Sequence, residues 1–362
     1  MTSPAPFPPP RPFDFRDASE REYALLNAFH DAVHAEQAPD DPLTPHEERV
    51  RQWRGRPAFV EPFAWFVPDP EEAAIAAVGS TGWLRAEENA HLAEFHFEVL
   101  PTYRRRGLGR RLLGEIADTA ERAGRRLLIS ATTDRVPAGA AFMERIGARA
   151  GLTSHINQLV LTELDHGAVR RWLAEGRARE GEFELGFWTG PFPEEDLAAI
   201  AALHDVMNQA PRGDLDAEDV RSTPEQLREA ERSLAASGVE RWVAYARERA
   251  TGAFAGFSDV YWHPGQPALL EQGNTGVFPR YRNRGLGRWL KAAMLERILR
   301  GRPQVERIRT QNADSNAPML RINTALGFRP YMARTVWQVE TEKVRRYLDG
   351  RDSFHVIHQD RA

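Results

Sequence analysis

The chain of 362 residues has no cysteine, which excludes disulfides, thiolate metal sites and a cysteine nucleophile. It has no apolar run long enough to span a bilayer and no charged-then-apolar start of the signal-peptide kind. The cytoplasm is therefore the expected compartment, with no membrane partner. Positive charge is not in excess either, and a net charge of −4 argues against nucleic-acid binding. His30 and His34 have the i, i+4 spacing of two metal ligands on a helix, but no third ligand and no His-Glu-x-x-His pattern accompany them. No metal is expected. What the chain does have is 42% apolar and 28% charged residues, the composition of a globular protein. Its length suits two domains of roughly 150–180 residues.

The arginines concentrate in two matching stretches. Val99-Leu100-Pro101-Thr102-Tyr103-Arg104-Arg105-Arg106-Gly107-Leu108-Gly109 runs into Arg110, and Val277-Phe278-Pro279-Arg280-Tyr281-Arg282-Asn283-Arg284-Gly285-Leu286-Gly287 runs into Arg288. Each is an apolar strand end, a proline, then a glycine-bearing turn that opens a helical pattern. Glycine lets backbone approach an anion closely, and a helix N-terminus offers it unpaired N–H groups and a positive dipole end. A Walker loop would need Lys-Ser/Thr where Arg110 and Arg288 begin. A dinucleotide fingerprint would need a small residue where Leu112 and Leu290 stand. What remains is Arg-x-x-Gly-x-Gly, starting at Arg104 and Arg282.

The doubled motif resembles the acetyl-CoA loop of the GCN5-related N-acetyltransferase (GNAT) superfamily, and the tandem layout is similar to that of mycothiol synthase. The resemblance implies an α+β (α/β) fold of two tandem GNAT-type domains, each a mixed, mostly antiparallel central sheet flanked by helices. It implies acetyl-CoA as cosubstrate, without a metal. The implied reaction is acetyl transfer to a primary amine of a small molecule, by direct attack in a ternary complex. A non-catalytic sensor of CoA thioesters and a protein N-acetyltransferase are the alternatives, and the chain is expected as a monomer or homodimer. By the same resemblance, CoA is held in the second half by Val277, Phe278, Pro279, Arg282, Arg284, Gly285, Leu286, Gly287, Arg288, Asn312 and Asn316. In the first half the corresponding residues are Val99, Leu100, Pro101, Arg104, Arg106, Gly107, Leu108, Gly109 and Arg110.

Catalysis is expected in the second half. Glu271 stands six residues before Val277, where mycothiol synthase-like sequences place a catalytic glutamate. An even separation puts both residues on one face of a regular strand, a parity that the family's bulge in this strand would disturb. Six residues before Val99 is Ala93, so the first half reads as degenerate, with Glu94, His96 and Glu98 as polar positions of the alternate face. Many family members carry a thiolate-protonating tyrosine where this chain has Asn323 and Met143, which leaves a different residue such as Tyr331 or His263, water, or no acid at all. Asn316 also suits a helix N-cap ahead of Pro318.

Along the chain, residues 1–12 hold six prolines and read as a disordered tail. An N-terminal domain is expected over 13–165, opening with a strand at Phe13–Arg16. A linker helix over 166–181 should pack against that domain. The C-terminal domain follows over 182–350, then a tail over 351–362. The loops Pro39–Pro45 and Pro211–Asp219 carry Asp40, Asp41, Asp214 and Asp216, which suggests a cationic or amine-bearing acceptor.

Overall fold

The computed structural model describes residues 6–350. The first half runs β1 (Arg11–Pro12), α1 (Glu20–Gln37), α2 (His46–Arg54), β2 (Val60–Pro68), β3 (Ile75–Leu84), β4 (Leu92–Val99), α3 (Leu108–Arg122), β5 (Leu127–Thr133), α4 (Pro137–Arg145), β6 (Arg149–Val160) and α5 (His166–Arg177). The second half repeats that order as β7 (Phe183–Thr189), α6 (Leu197–His204), α7 (Pro224–Ala236), β8 (Glu240–Glu248), β9 (Phe254–Trp262), β10 (Leu269–Val277), α8 (Leu286–Gly301), β11 (Arg307–Ala313), α9 (Ala317–Leu326), β12 (Arg329–Glu340) and α10 (Thr341–Leu348).

Local chemistry sets several of these boundaries. Ser19 and Glu22 form a capping box at the start of α1, and Thr223 and Gln226 form one at the start of α7. Leu108, Leu112, Leu113, Ile116 and Ala120 give α3 a continuous buried stripe against the sheet. The opening strand differs from expectation. Pairing is confined to Arg11 and Pro12 against β2, whereas Phe13 and Phe15 turn inward to pack with Tyr23 and Trp53. Residues 6–12 are also placed rather than tail-like, because Phe7 packs edge-on against Tyr103 and its carbonyl accepts from Arg111. Residues 1–5 and the expected tail at 351–362 lie outside the described residues.

All twelve strands form one sheet, in the order β1-β2-β3-β4-β5-β12-β6-β11-β10-β9-β8-β7. The sheet does not divide at the junction of the two halves. β12, the last strand of the second half, lies beside β5 of the first, and β6 of the first lies beside β11 of the second. β6 and β12 then pair with each other at the centre. The helices that follow these strands cross over as well. α5 packs on α8, burying Val169 and Trp172 in the core of the second half. It is therefore not a linker against the first half. A Cβ on Gly176 would stand 2.1 Å from the Trp289 ring, so only glycine permits this approach. Reciprocally, α10 buries Val344 against the α3 core, and Arg345 pairs with Asp118 and Glu121. Each half thus completes the other.

Candidate active site

β4 and β5 pair in parallel for three positions, Leu92–Glu94 with Leu127–Ile129, and then separate. β10 and β11 do the same after Leu269–Glu271 and Arg307–Arg309. Past these points the facing backbone groups border a wedge instead of a neighbouring strand, ready for an extended ligand. Each wedge opens toward an arginine-glycine loop. Gly107 and Gly285 begin α3 and α8 with φ of 82° and 78°. The first backbone bonds of those helices reach back to these glycines from Arg111 and Trp289. The N–H groups of residues 108–110 and 286–288 therefore have no partner inside the helix. A Cβ at Gly285 would meet nothing closer than 3.8 Å, and one at Gly107 nothing within 4 Å. Both loops leave room for an anion such as a pyrophosphate.

A bulge separates the two wedges. The register of β10 against β9 shifts between Gln272 and Thr275, whereas β4 pairs with β3 without interruption. The extra residue in β10 corrects the sequence alignment. By strand register Glu271 corresponds to Glu94, not Ala93, because both occupy the third parallel pair. It also reverses the expected parity. Glu271 lies opposite Tyr261 and Val277 opposite Gly256, five positions apart, so the two side chains leave opposite faces.

The faces toward the helices differ in chemistry. On the α8 side the second wedge is lined by Gln272, Thr275, Asn312, Asn323 and Lys291. Gln272 donates to Ser258 Oγ and to the Asp259 carbonyl, and Asn323 donates to Asn312 Oδ1 at 2.7 Å. Asn316 caps α9 through Met319 N–H. The matching positions of the first wedge hold Phe95, Phe97, Thr132, Met143 and Leu113. Phe97 meets Phe142 of α4 edge to face at 5.0 Å, and this pair crosses from β4 to the β5 side. Thr275 and Ile322 stand at those two places in the second half.

The arginines differ too. Arg104 is clamped by both Glu36 carboxylate oxygens, at 2.7 and 2.5 Å, Arg110 donates to the Leu348 carbonyl, and Arg111 donates to Phe7 and Pro8 carbonyls. Arg282 donates from Nε to the Val277 carbonyl and has no carboxylate partner among the described residues. Arg284 and Arg288 make looser pairs with Glu182 and Glu175 at 3.4 and 3.7 Å. They line a pocket of about 420 Å³ walled by α5. The second loop therefore leaves its leading arginine, Arg282, without the carboxylate clamp that holds Arg104.

On the opposite face, Glu271 is exposed between Tyr261 and Arg309, its register partners on β9 and β11. Arg309 stacks on the Tyr331 ring at 4.0 Å and is gripped by Asp41, which also holds Arg307. Asp41 comes from the first half, so that half helps to build this face. Two carboxylates of the acidic loops are already paired within the protein. Asp41 serves Arg307 and Arg309, and Asp216 serves His91 and Arg126. His263 faces Glu48 and Gln52 at the contact between halves, away from the wedge. The Tyr331 hydroxyl is buried without a partner.

Sequence reasoning missed two buried ionisable groups. Asp259 is fully buried, and that burial pushes its carboxyl up to about 6 despite hydrogen bonds from Asn274 N–H and Tyr261 OH. Lys291 is 2% exposed, and desolvation lowers its ammonium to about 7. A lone lysine within the apolar Trp-Leu-Lys-Ala-Ala-Met run of α8 was the available signal. In the first half, Glu98 was expected to be exposed but is half-buried. Burial pushes its carboxyl up, yet the hydrogen bond and charge of His96, with His30 and Gln37, bring it below the usual range. His30 is a packed residue, lowered to about 4 chiefly by burial, and among the described residues no cluster of three metal-ligating side chains occurs.

A splayed parallel strand pair that feeds a glycine loop and a helix N-terminus, present twice in one chain, defines a tandem protein of the acetyltransferase fold class. Residues 25–148 match the model of the acetyltransferase (GNAT) family. A tandem GNAT protein from the clavulanic acid biosynthesis pathway is 26% identical, with a TM-score of 0.73 over 91% of this chain and 97% of that one. A GCN5-related N-acetyltransferase from Sphaerobacter thermophilus shares the fold at 16% identity, with a TM-score of 0.63 over 90% and 95% of the two chains. So does a glucosamine N-acetyltransferase region of a fungal multi-domain β-N-acetylglucosaminidase, at 12% identity and a TM-score of 0.63 over 93% of this chain and 38% of that one. No curated protein sequence matches. Residues 25–148 thus resemble the GNAT family, and the chain as a whole shares the fold of a tandem GNAT protein.

Proposed function

We propose that the chain is an acetyl-CoA-dependent N-acetyltransferase that acts on a primary amine of a small molecule, with its chemistry in the second half. The observation that carries this reading is the β10–β11 wedge, which is bordered by polar side chains and leads to a loop of available N–H groups. The first wedge is closed by Phe97 and Phe142. The N–H groups of residues 286–288, with Arg282, Arg284 and Arg288, would hold the pyrophosphate. Asn312 and the free edges of β10 and β11 would hold the pantetheine arm. The bulge at Gly273-Asn274 interrupts the ladder, and because Asn274 N–H is held by Asp259 Oδ1, the Gly273 N–H would be the one to stabilise the oxyanion of attack.

Glu271, exposed on the face beside Tyr261 and Arg309, would take the proton from the incoming ammonium, directly or through water. The acceptor would enter on that face, beneath Arg309 as held by Asp41. Incubating the purified chain with acetyl-CoA and a panel of amines, with detection of released thiol, tests the reading. Release above the hydrolysis background is expected for at least one amine. No release with any amine, despite tight CoA binding, would instead favour the sensor reading.

A further inference from the structure

Nearly all positive charge in this chain is arginine, with 46 arginines and two lysines. Lys343 is on the surface of α10, and Lys291 is buried in α8. Arginine stays charged in proteins, whereas a buried lysine can release and regain its proton. Lys291 stands four residues, one helical turn, beyond Gly287 and so on the same face of α8. That face looks into the wedge, since a Cβ on Gly287 would meet Ile322 of α9 at 3.6 Å and Val277 of β10 at 4.0 Å. The ammonium lies 5.5 Å from the centre of the Phe328 ring, and Asp259 is the charged group that acts on it. Asn323, on the adjoining helix, is 1% exposed and leaves its Oδ1 unpaired. An unpartnered buried acceptor is costly unless a ligand completes it.

We propose that Lys291 is a catalytic residue that gives its proton to the sulfur of CoA as the thiol leaves, while Asn323 Oδ1 accepts an N–H of the pantetheine arm. This rests on the donor reading above. The amine nitrogen bonds to the thioester carbonyl carbon and gives its extra proton to solvent water, the carbon–sulfur bond breaks, and the sulfur keeps the electron pair. Lys291 Nζ–H then supplies the proton, leaving a neutral amine and a thiol, and the lysine regains a proton from solvent once the site opens. The lowered lysine value matches a proton donor working near neutrality. Asp259 on β9 is the one titratable group whose charge reaches it, and it favours the protonated form.

Lys291→Met tests the assignment. Leu113 fills the same place in α3, so an apolar chain there is compatible with the fold. Calorimetry would compare CoA with its desulfo analogue, for the native protein and the variant, at pH 8. The native protein should bind CoA about tenfold more tightly than desulfo-CoA, through the thiolate–ammonium contact. The variant should bind both equally, with its affinity for desulfo-CoA unchanged. Turnover should fall by about 10²-fold or more, and the alkaline limb of the kcat–pH profile should disappear. Equal discrimination between the two ligands in native protein and variant would overturn the proton-donor role while leaving the donor reading intact. Absence of CoA binding to the native protein would overturn both.

Discussion

Where β4 leaves β5, the first half sets Phe97 against Phe142; where β10 leaves β11, the second sets Thr275 and Ile322. The surrounding backbone is nearly the same, with matched glycine turns, matched parallel pairs and matched helix starts. The divergence lies in what lines the wedge. Aromatic and aliphatic groups in the first half pack as core, and an edge-to-face pair contributes about 0.5–1.5 kcal/mol beyond the area it buries. Amide, hydroxyl and ammonium groups line the wedge in the second half. A duplicated fold can therefore keep its architecture in both copies while one copy uses the wedge for stability and the other keeps it for a ligand. The family match falls on the first half, which shows that the loop and core pattern survive where the wedge is filled.

The sharpest test of this contrast exchanges the glycines. Gly285→Val should abolish tight CoA binding and turnover, because φ near 78° is strained for a branched side chain and the Cβ would project where the phosphates sit. Gly107→Val should spare most activity, and loss of turnover from that variant alone would assign chemistry to the first half. Next in size, Glu271→Gln should lower kcat by about 10²-fold at unchanged CoA affinity. The corresponding Glu94→Gln should leave the rate as it is. Stopped-flow rates with calorimetry on both variants would check the pair.

Asp41→Asn should destabilise the protein by about 3 kcal/mol, read by urea unfolding, because it strips a carboxylate only 5% exposed from Arg307 and Arg309. It should also raise KM for the amine, since Arg309 flanks Glu271. In the first half, Glu36→Ala releases Arg104 and should tighten binding of inorganic pyrophosphate at the first loop by roughly tenfold, read by calorimetry. A further effect is one of pH. His30 and His204 occupy matching positions, and burial lowers both to about 4 from an ordinary 6.5. Between these values the unfolded chain binds the extra protons, so stability falls as pH drops from 6.5 towards 4. Replacing both histidines with phenylalanine should flatten that decline in thermal melts.

Several features were legible in residues alone. The glycine turns were, because a positive φ ahead of a helix demands glycine and the two copies repeat it at the same spacing. Helix α1 was readable from its apolar stripe. Helix α7 carries a signal in Thr223-Pro224-Glu225-Gln226, a capping box, whereas α2 is nine mostly charged residues whose Trp53 is buried only by distant partners, Phe15 and α1. The bulge was not readable as a position. A one-residue insertion in β10 leaves the local pattern unchanged and shows only against the register of β9. That insertion decided which residue of the first half matches Glu271.

The sequence by itself determined that two copies of a strand–loop–helix anion cradle follow one another. That is a local pattern, fixed by residue type and spacing. Only the tertiary structure decided which half each strand serves. β6 and β12 have similar two-residue periodicity and follow similar helices, so each could pair with the wedge of its own half or of the other. The choice rests on long-range packing of α5 on α8 and α10 on α3, with Trp172 and Val344 buried in the opposite cores. Pairing energy between strands depends on neighbours distant in sequence, and no local pattern records it.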